Sequence, residues 1–119
     1  MDLDKIAKTT EIPEQEWQAF CASFSEANLN RLVTINLVSP EWGDQVWVSG
    51  SSFMSLNYDD SDEQATQMII SVGVDGMTSH TVEQPKQVWR AQDAEGEDVS
   101  LGIVNEAGNR WILILEEQA

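Results

Sequence analysis

The chain is poor in most of the residues from which simple active sites are built. Its 119 residues include one cysteine, Cys21, and one histidine, His80. A lone cysteine excludes an internal disulfide and any multi-cysteine zinc site. Positive charge is also scarce: six Lys and Arg stand against twenty-one Asp and Glu, a net charge of −15. Such a surface repels phosphate backbones and anionic lipid headgroups, so neither direct nucleic-acid binding nor membrane binding is expected. No apolar run approaches the roughly 20 residues of a membrane span, and the opening MDLDKIAKTT has no apolar signal-peptide core. A cytoplasmic location is the expectation. There are no internal repeats or low-complexity stretches, and no linker that would split the chain.

What is present suffices for a packed core, with 41% hydrophobic residues and 23% charged. At this length one domain is expected, with residues 1–10 as a loose arm and 11–119 as a single α+β domain. EIPEQEWQAFCASFSEAN carries the best helical pattern: Pro13 suits a first turn, and Trp17, Phe20, Cys21 and Phe24 repeat at helical spacing. Asn28 to Asn30 read as its stop. The period then changes to two. RLVTINLV sets Val33, Ile35 and Leu37 on one face; QVWV sets Val46 and Val48 against Trp47; FMSLNY sets Met54, Leu56 and Tyr58 together; QMIISV offers Met68, Ile70 and Val72. VGVDGMTSH reads as a turn-rich connection. HTV and QVWRA follow, and VSLGIV and RWILIL form a hairpin around Gly108. In RWILIL both faces are apolar, which places that strand centrally or under cover on both sides. The expected fold is an N-terminal helix packed on a curled antiparallel meander of six or seven strands, with a small closed barrel as the alternative.

HTVEQPKQVW, residues 80–89, gathers the histidine, a proline, a lysine and a tryptophan. Pro85 fixes its own φ and pushes Gln84 to extended geometry, so the stretch reads first as a corner, with Trp89 as a large anchor. Ser79 points away from His80 by strand alternation, and no GxSxG elbow exposes a serine. Cys21 lies in the aromatic stripe of the helix, where a thiol is usually inert packing. A structural imidazole bonded to backbone in the turn is therefore favoured over a catalytic His80, and no catalytic residue is assigned. The acidic stretches DDSDE and DAEGED crowd carboxylates but lack the spacing of a calcium loop, so they read as solvated turns with no metal and no cofactor. Trp17 and Trp111 fit the core. Trp42 falls in a turn and Trp47 on the face opposite its valine neighbours, a placement that suits a contact patch. Alternation sends Arg90 and Arg110 to the faces opposite Trp89 and Trp111.

The helix entry IPEQEW, the strand RLVTINLV and the late segment HTVEQPKQVW together resemble a family of small uncharacterised bacterial proteins. Its members combine an IPxxxW helix start with an HxIxxPxxVW segment; Val82 stands here in place of the Ile. The likeness spans about residues 11–115. It implies a single bacterial intracellular domain, and no activity. The functional expectation is a non-catalytic, acidic interaction or regulatory module that binds a protein partner, a basic one by charge. Trp42 and Trp47 are its candidate contacts. Three alternatives accompany it: a small-molecule pocket between helix and sheet lined by Trp17, Tyr58, His80 and Trp89, a nucleic-acid-mimicking inhibitor, and an enzyme using His80. The oligomeric state is not legible.

Overall fold

The computed structural model describes residues 5–73 and 78–116. Eight strands and one α-helix follow in the order β1 (Lys8–Glu11), α1 (Trp17–Asn28), β2 (Leu32–Ser39), β3 (Gly43–Asp59), β4 (Gln67–Val72), β5 (Thr78–Glu83), β6 (Pro85–Gln92), β7 (Asp98–Asn105) and β8 (Arg110–Leu115). A single 3₁₀ turn, Glu14–Glu16, leads into the helix. All strands join one antiparallel sheet in the order β1-β6-β7-β8-β2-β3-β4-β5. Two meanders, β2 to β5 and β6 to β8, are thus fused where β8 pairs with β2. The sheet curls far enough to bring β5 toward β7, yet β1 and β5 remain its two edges and no barrel closes.

The α+β class and the helix on a curled sheet are as the sequence predicts, but the strands number eight. The end of the expected arm, Lys8 to Thr10, joins Glu11 in an edge strand that adds to β6. QVWV and FMSLNY are one 17-residue strand, β3, which bends at bulges instead of breaking. Gly50, at φ +66°, sits at the bend, a conformation that glycine adopts without steric cost. The bulges also change which side chains face inward. Ile35 pairs with Val48 and Asn36 with Val46, so Trp47 is the extra residue: Val48 and Trp47 both pack on the core while Val46 points outward. A second bulge at Met54 turns Phe53 and Leu56 inward in place of Met54 and Leu56.

The helix begins where the sequence allows it. Pro13, at φ −61°, precedes the 3₁₀ turn and needs no N–H there. Asn30 ends it in the left-handed region at φ +70°. Trp17, Phe20, Cys21 and Phe24 fill the concave face of the sheet against Phe53, Leu56, Ile35 and Leu113. Where the Met54 bulge frees a backbone group, Ser25 takes it up: its Oγ accepts the Leu56 N–H at 2.8 Å. Trp17 Nε1 donates to the Ile12 carbonyl at 2.9 Å, fastening the IPxxxW segment to its own helix. Burying each large side chain of this layer stabilises the fold by about 2 kcal/mol.

Residues 74–77, in the turn-rich connection before His80, lie outside the described residues, as do 1–4 and 117–119. The corner at Gln84 departs from the expected extended geometry. Gln84 takes φ +52°, and three bonds hold it there: its N–H donates to Thr66, its carbonyl accepts from Glu106, and its Nε2 donates to Gln64. Proline at 85 restricts the preceding residue, and tertiary hydrogen bonds select the left-handed solution.

Candidate functional sites

The five candidate site residues fall into four separate places. Tyr58 stands edge-on to Trp17, with ring centroids 5.2 Å apart, at the acidic end of the helix. Its hydroxyl pKa is raised, first by burial and then by the nearby Glu14 and Asp60 carboxylates. His80 and Trp47 meet each other on the concave face, Trp42 projects from the β2–β3 turn, and Trp89 lies on the opposite, convex face. The space between helix and sheet is filled by the core cluster. Trp17, Tyr58, His80 and Trp89 therefore do not line one pocket.

His80 sits within strand β5, not in a turn. Strand alternation sends it inward with Val82, while Ser79 and Thr81 are exposed. Its ring centroid is 4.2 Å from that of Trp47 and 5.7 Å from that of Trp111. Burial between these rings lowers its pKa below the ordinary imidazole value. Cys21 lies elsewhere, in the helix-side core, where burial pushes its thiol up to about 12. A thiol so disfavoured as thiolate is packing, and it faces no imidazole of this cluster.

A buried polar group escaped the sequence reading. Asp98, at the start of β7, accepts hydrogen bonds from Asn28 Nδ2 at 2.8 Å and Arg90 Nε at 2.6 Å. Arg31 donates to Asn28 Oδ1, to the Asp98 carbonyl and to the Glu116 carbonyl. Arg90 also lies over the Phe20 ring at 5.4 Å. Both Asp98 carboxylate oxygens and all three Arg31 guanidinium nitrogens have partners, Arg90 bonds Asp98 through Nε and Nη2, and together they tie the end of α1 to β6, β7 and the residue after β8. This is a structural pin. Nothing in a single sequence links residues separated by 70 positions, although a lone Arg just after a helix stop could have raised the question.

The acidic loops use their carboxylates as turn caps. Asp59 accepts from the Ser61 N–H and hydroxyl, which lowers its pKa, and Asp93 accepts from the Glu95 and Glu97 N–H groups. Among the described residues no three metal-ligating side chains converge.

The convex face carries a groove of about 460 Å³. Register explains it. Trp89 on β6 pairs with Gly102 on β7, which pairs with Ile112 on β8. Opposed residues share a face, so a large aromatic and a branched aliphatic stand about 10 Å apart, two strand spacings, with no side chain between them. Gly102 is the floor. One row along, Gln87, Val104 and Arg110 close one end; one row the other way, Ala91, Ser100 and Thr9 close the other, with Ile6 beside them.

Sequence comparison gives no chemistry to add to these sites. No solved structure matches the chain. An uncharacterized protein of Aquifex aeolicus (strain VF5) is 27% identical over 106 residues, covering 88% of this chain and 89% of that one. A family model matches residues 8–119, all of the described fold from β1 onward, and on that match the chain belongs to DUF5335, a family of unknown function.

Proposed function

We propose that the protein is a non-catalytic interaction module that binds a basic protein partner through the β2–β3 hairpin. The carrying observation is Trp42, which is 73% exposed, the most exposed large hydrophobic side chain among the described residues. Val46 on the same hairpin is 67% exposed. Solvent contact of an indole this large is unfavourable, and exposed tryptophans are enriched at the centres of protein contacts.

The turn presents Trp42 in a held conformation. The N–H groups of Glu41 and Trp42 both donate to Ser39 Oγ, at 3.2 and 3.3 Å, and Gly43 completes the turn at φ +73°. Glu41 and Asp44 flank the indole and are exposed. An apolar anchor rimmed by carboxylates complements a partner surface with an apolar notch and surrounding Lys or Arg. The other acidic side chains among the described residues are dispersed, on the 3₁₀ turn, the β3–β4 loop and the β6–β7 turn and singly on β1, α1, β5, β7, the β7–β8 turn and the end of β8. That dispersal favours a localised contact over imitation of a phosphate row.

The test is affinity capture with the intact protein and the Trp42→Ala variant, with captured proteins identified and their affinities measured. A partner lost at least tenfold in Trp42→Ala, and weakened by raising salt, is the expected result. Capture profiles that do not differ between the two proteins would remove the reading.

A further inference from the structure

The groove on the convex face differs from the rest of the molecule in charge. Twenty-one of 119 residues are acidic, yet among the described residues no carboxylate lines the groove and one arginine does. Of the acidic residues that register sets on that face, Glu11 pairs with Trp89 on the far side of the indole, on the edge strand, and Asp44 stands two strands from Arg110, beyond Val38. Arg110 makes no ion pair among the described residues, whereas Arg31 and Arg90 are consumed by the buried pin. The groove thus combines an apolar trough with one outward cation at its end.

We propose that this groove binds a small monoanionic amphiphile, a free medium-chain carboxylate whose chain lies on Gly102 between Trp89 and Ile112 and whose carboxylate meets Arg110. The dimensions select the chain length. From Ser100 to Val104 the trough runs four residues along β7, about 13 Å of strand, which suits a chain of about ten carbons. Its volume of about 460 Å³ is that of a small-ligand site. Arg110 presents a planar, permanently charged fork that carboxylates bind, and Gln87, one strand beyond Val104 in the same row, adds a neutral donor. A neutral chain would gain the trough alone; a dianion or an acidic peptide would meet the repulsion of the surrounding −15 charge.

Gly102 makes the idea open to a clean test. Its φ is ordinary, and a Cβ placed there would sit 3.9 Å from the Trp89 Cβ, in normal contact. A side chain at 102 therefore fills the trough without straining the backbone.

The experiment is titration of the ¹⁵N-labelled full chain with decanoate, below its micelle concentration, and in parallel with decan-1-ol, followed by backbone and indole amide shifts. Decanoate is expected to shift the Gly102 and Ile112 amides and the Trp89 indole saturably, and decanol to bind roughly fivefold more weakly, the ratio one exposed charge contact supplies. Arg110→Gln should bring decanoate down to the level of decanol. Gly102→Leu should abolish both, and Gly102→Ala should weaken both while leaving the melting temperature in place, so that a misfolded Leu variant cannot be mistaken for a blocked groove. Shifts centred on Trp47 and His80, shifts that do not saturate, or equal binding of acid and alcohol would overturn the proposal. The hairpin reading is independent: Trp42→Ala should leave decanoate binding unchanged, and Gly102→Leu should leave partner capture unchanged.

Discussion

Strand β8 has two faces that live under different rules. Inward, Trp111, Leu113 and Leu115 are buried among the helix and the curled sheet; outward, Arg110 is exposed, Ile112 is half-buried beside the groove and Ile114 is covered. The inner face is filled: large side chains meet large side chains, and the Asp98 carboxylate that enters it is bonded at both oxygens. On the outer face a glycine sits where a strand would ordinarily carry a side chain, between two large apolar residues. A central strand with apolar residues on both faces is thus explained without a second layer. One face is packed into the core, and the other leaves a groove beside Ile112.

Truncation on the two faces gives the largest contrast. Leu113→Ala should cost about 3 kcal/mol, because a fully buried site that cannot collapse retains a cavity. Ile112→Ala, one residue away and only half-buried, should cost about 1 kcal/mol. Chemical denaturation of both variants at one protein concentration measures the difference. Equal losses would mean that the outer face is as tightly covered in solution as the inner one, and the groove would cease to be a free surface.

The parts that were legible in the sequence are those governed by local period. The helix stripe of Trp17, Phe20, Cys21 and Phe24 and the strand set Met68, Ile70 and Val72 are buried as their spacing requires. The reading failed at bulges, where one extra residue reverses the alternation: Trp47 turned inward and Val46 outward, and Phe53 displaced Met54. It failed again where tertiary bonds overrode a local preference, as at Gln84. Gly102 carried no signal, and Arg110 read only as a cation on the face opposite Trp111, because a groove made by an absent side chain exists only once three strands are in register. Trp42 was legible for the opposite reason: a tryptophan beside Pro and Gly in a tight turn has no nearby strand face to bury it.

A smaller effect should appear on the inner face at His80. Burial against Trp47 and Trp111 lowers its pKa in the folded chain below the ordinary 6.5, so the unfolded chain takes up a proton first as pH falls. Its contribution to stability is therefore fully present above 6.5 and is lost as pH drops toward the folded value. Wild-type protein should lose stability between pH 7 and pH 5.5, and His80→Gln should flatten that slope. A slope unchanged by the substitution would assign it to carboxylates, and the imidazole would not be held neutral between the two indoles.

The finest comparison of the two faces uses thiols. Cys21 is buried against the sheet with its pKa pushed up to about 12, so at pH 8 it has neither thiolate nor access and should resist alkylation in the native protein. Gly102→Cys places a second thiol on the floor of the convex groove, where the new Cβ meets nothing closer than 3.9 Å. Native wild type should therefore take up no label and the variant one equivalent, rising to one and two in denaturant. Labelling of native wild type would show that the helix opens from the sheet faster than the reagent reacts. A variant that resists until unfolded would show that the trough over Gly102 is closed by its own neighbours, leaving no room there for any ligand.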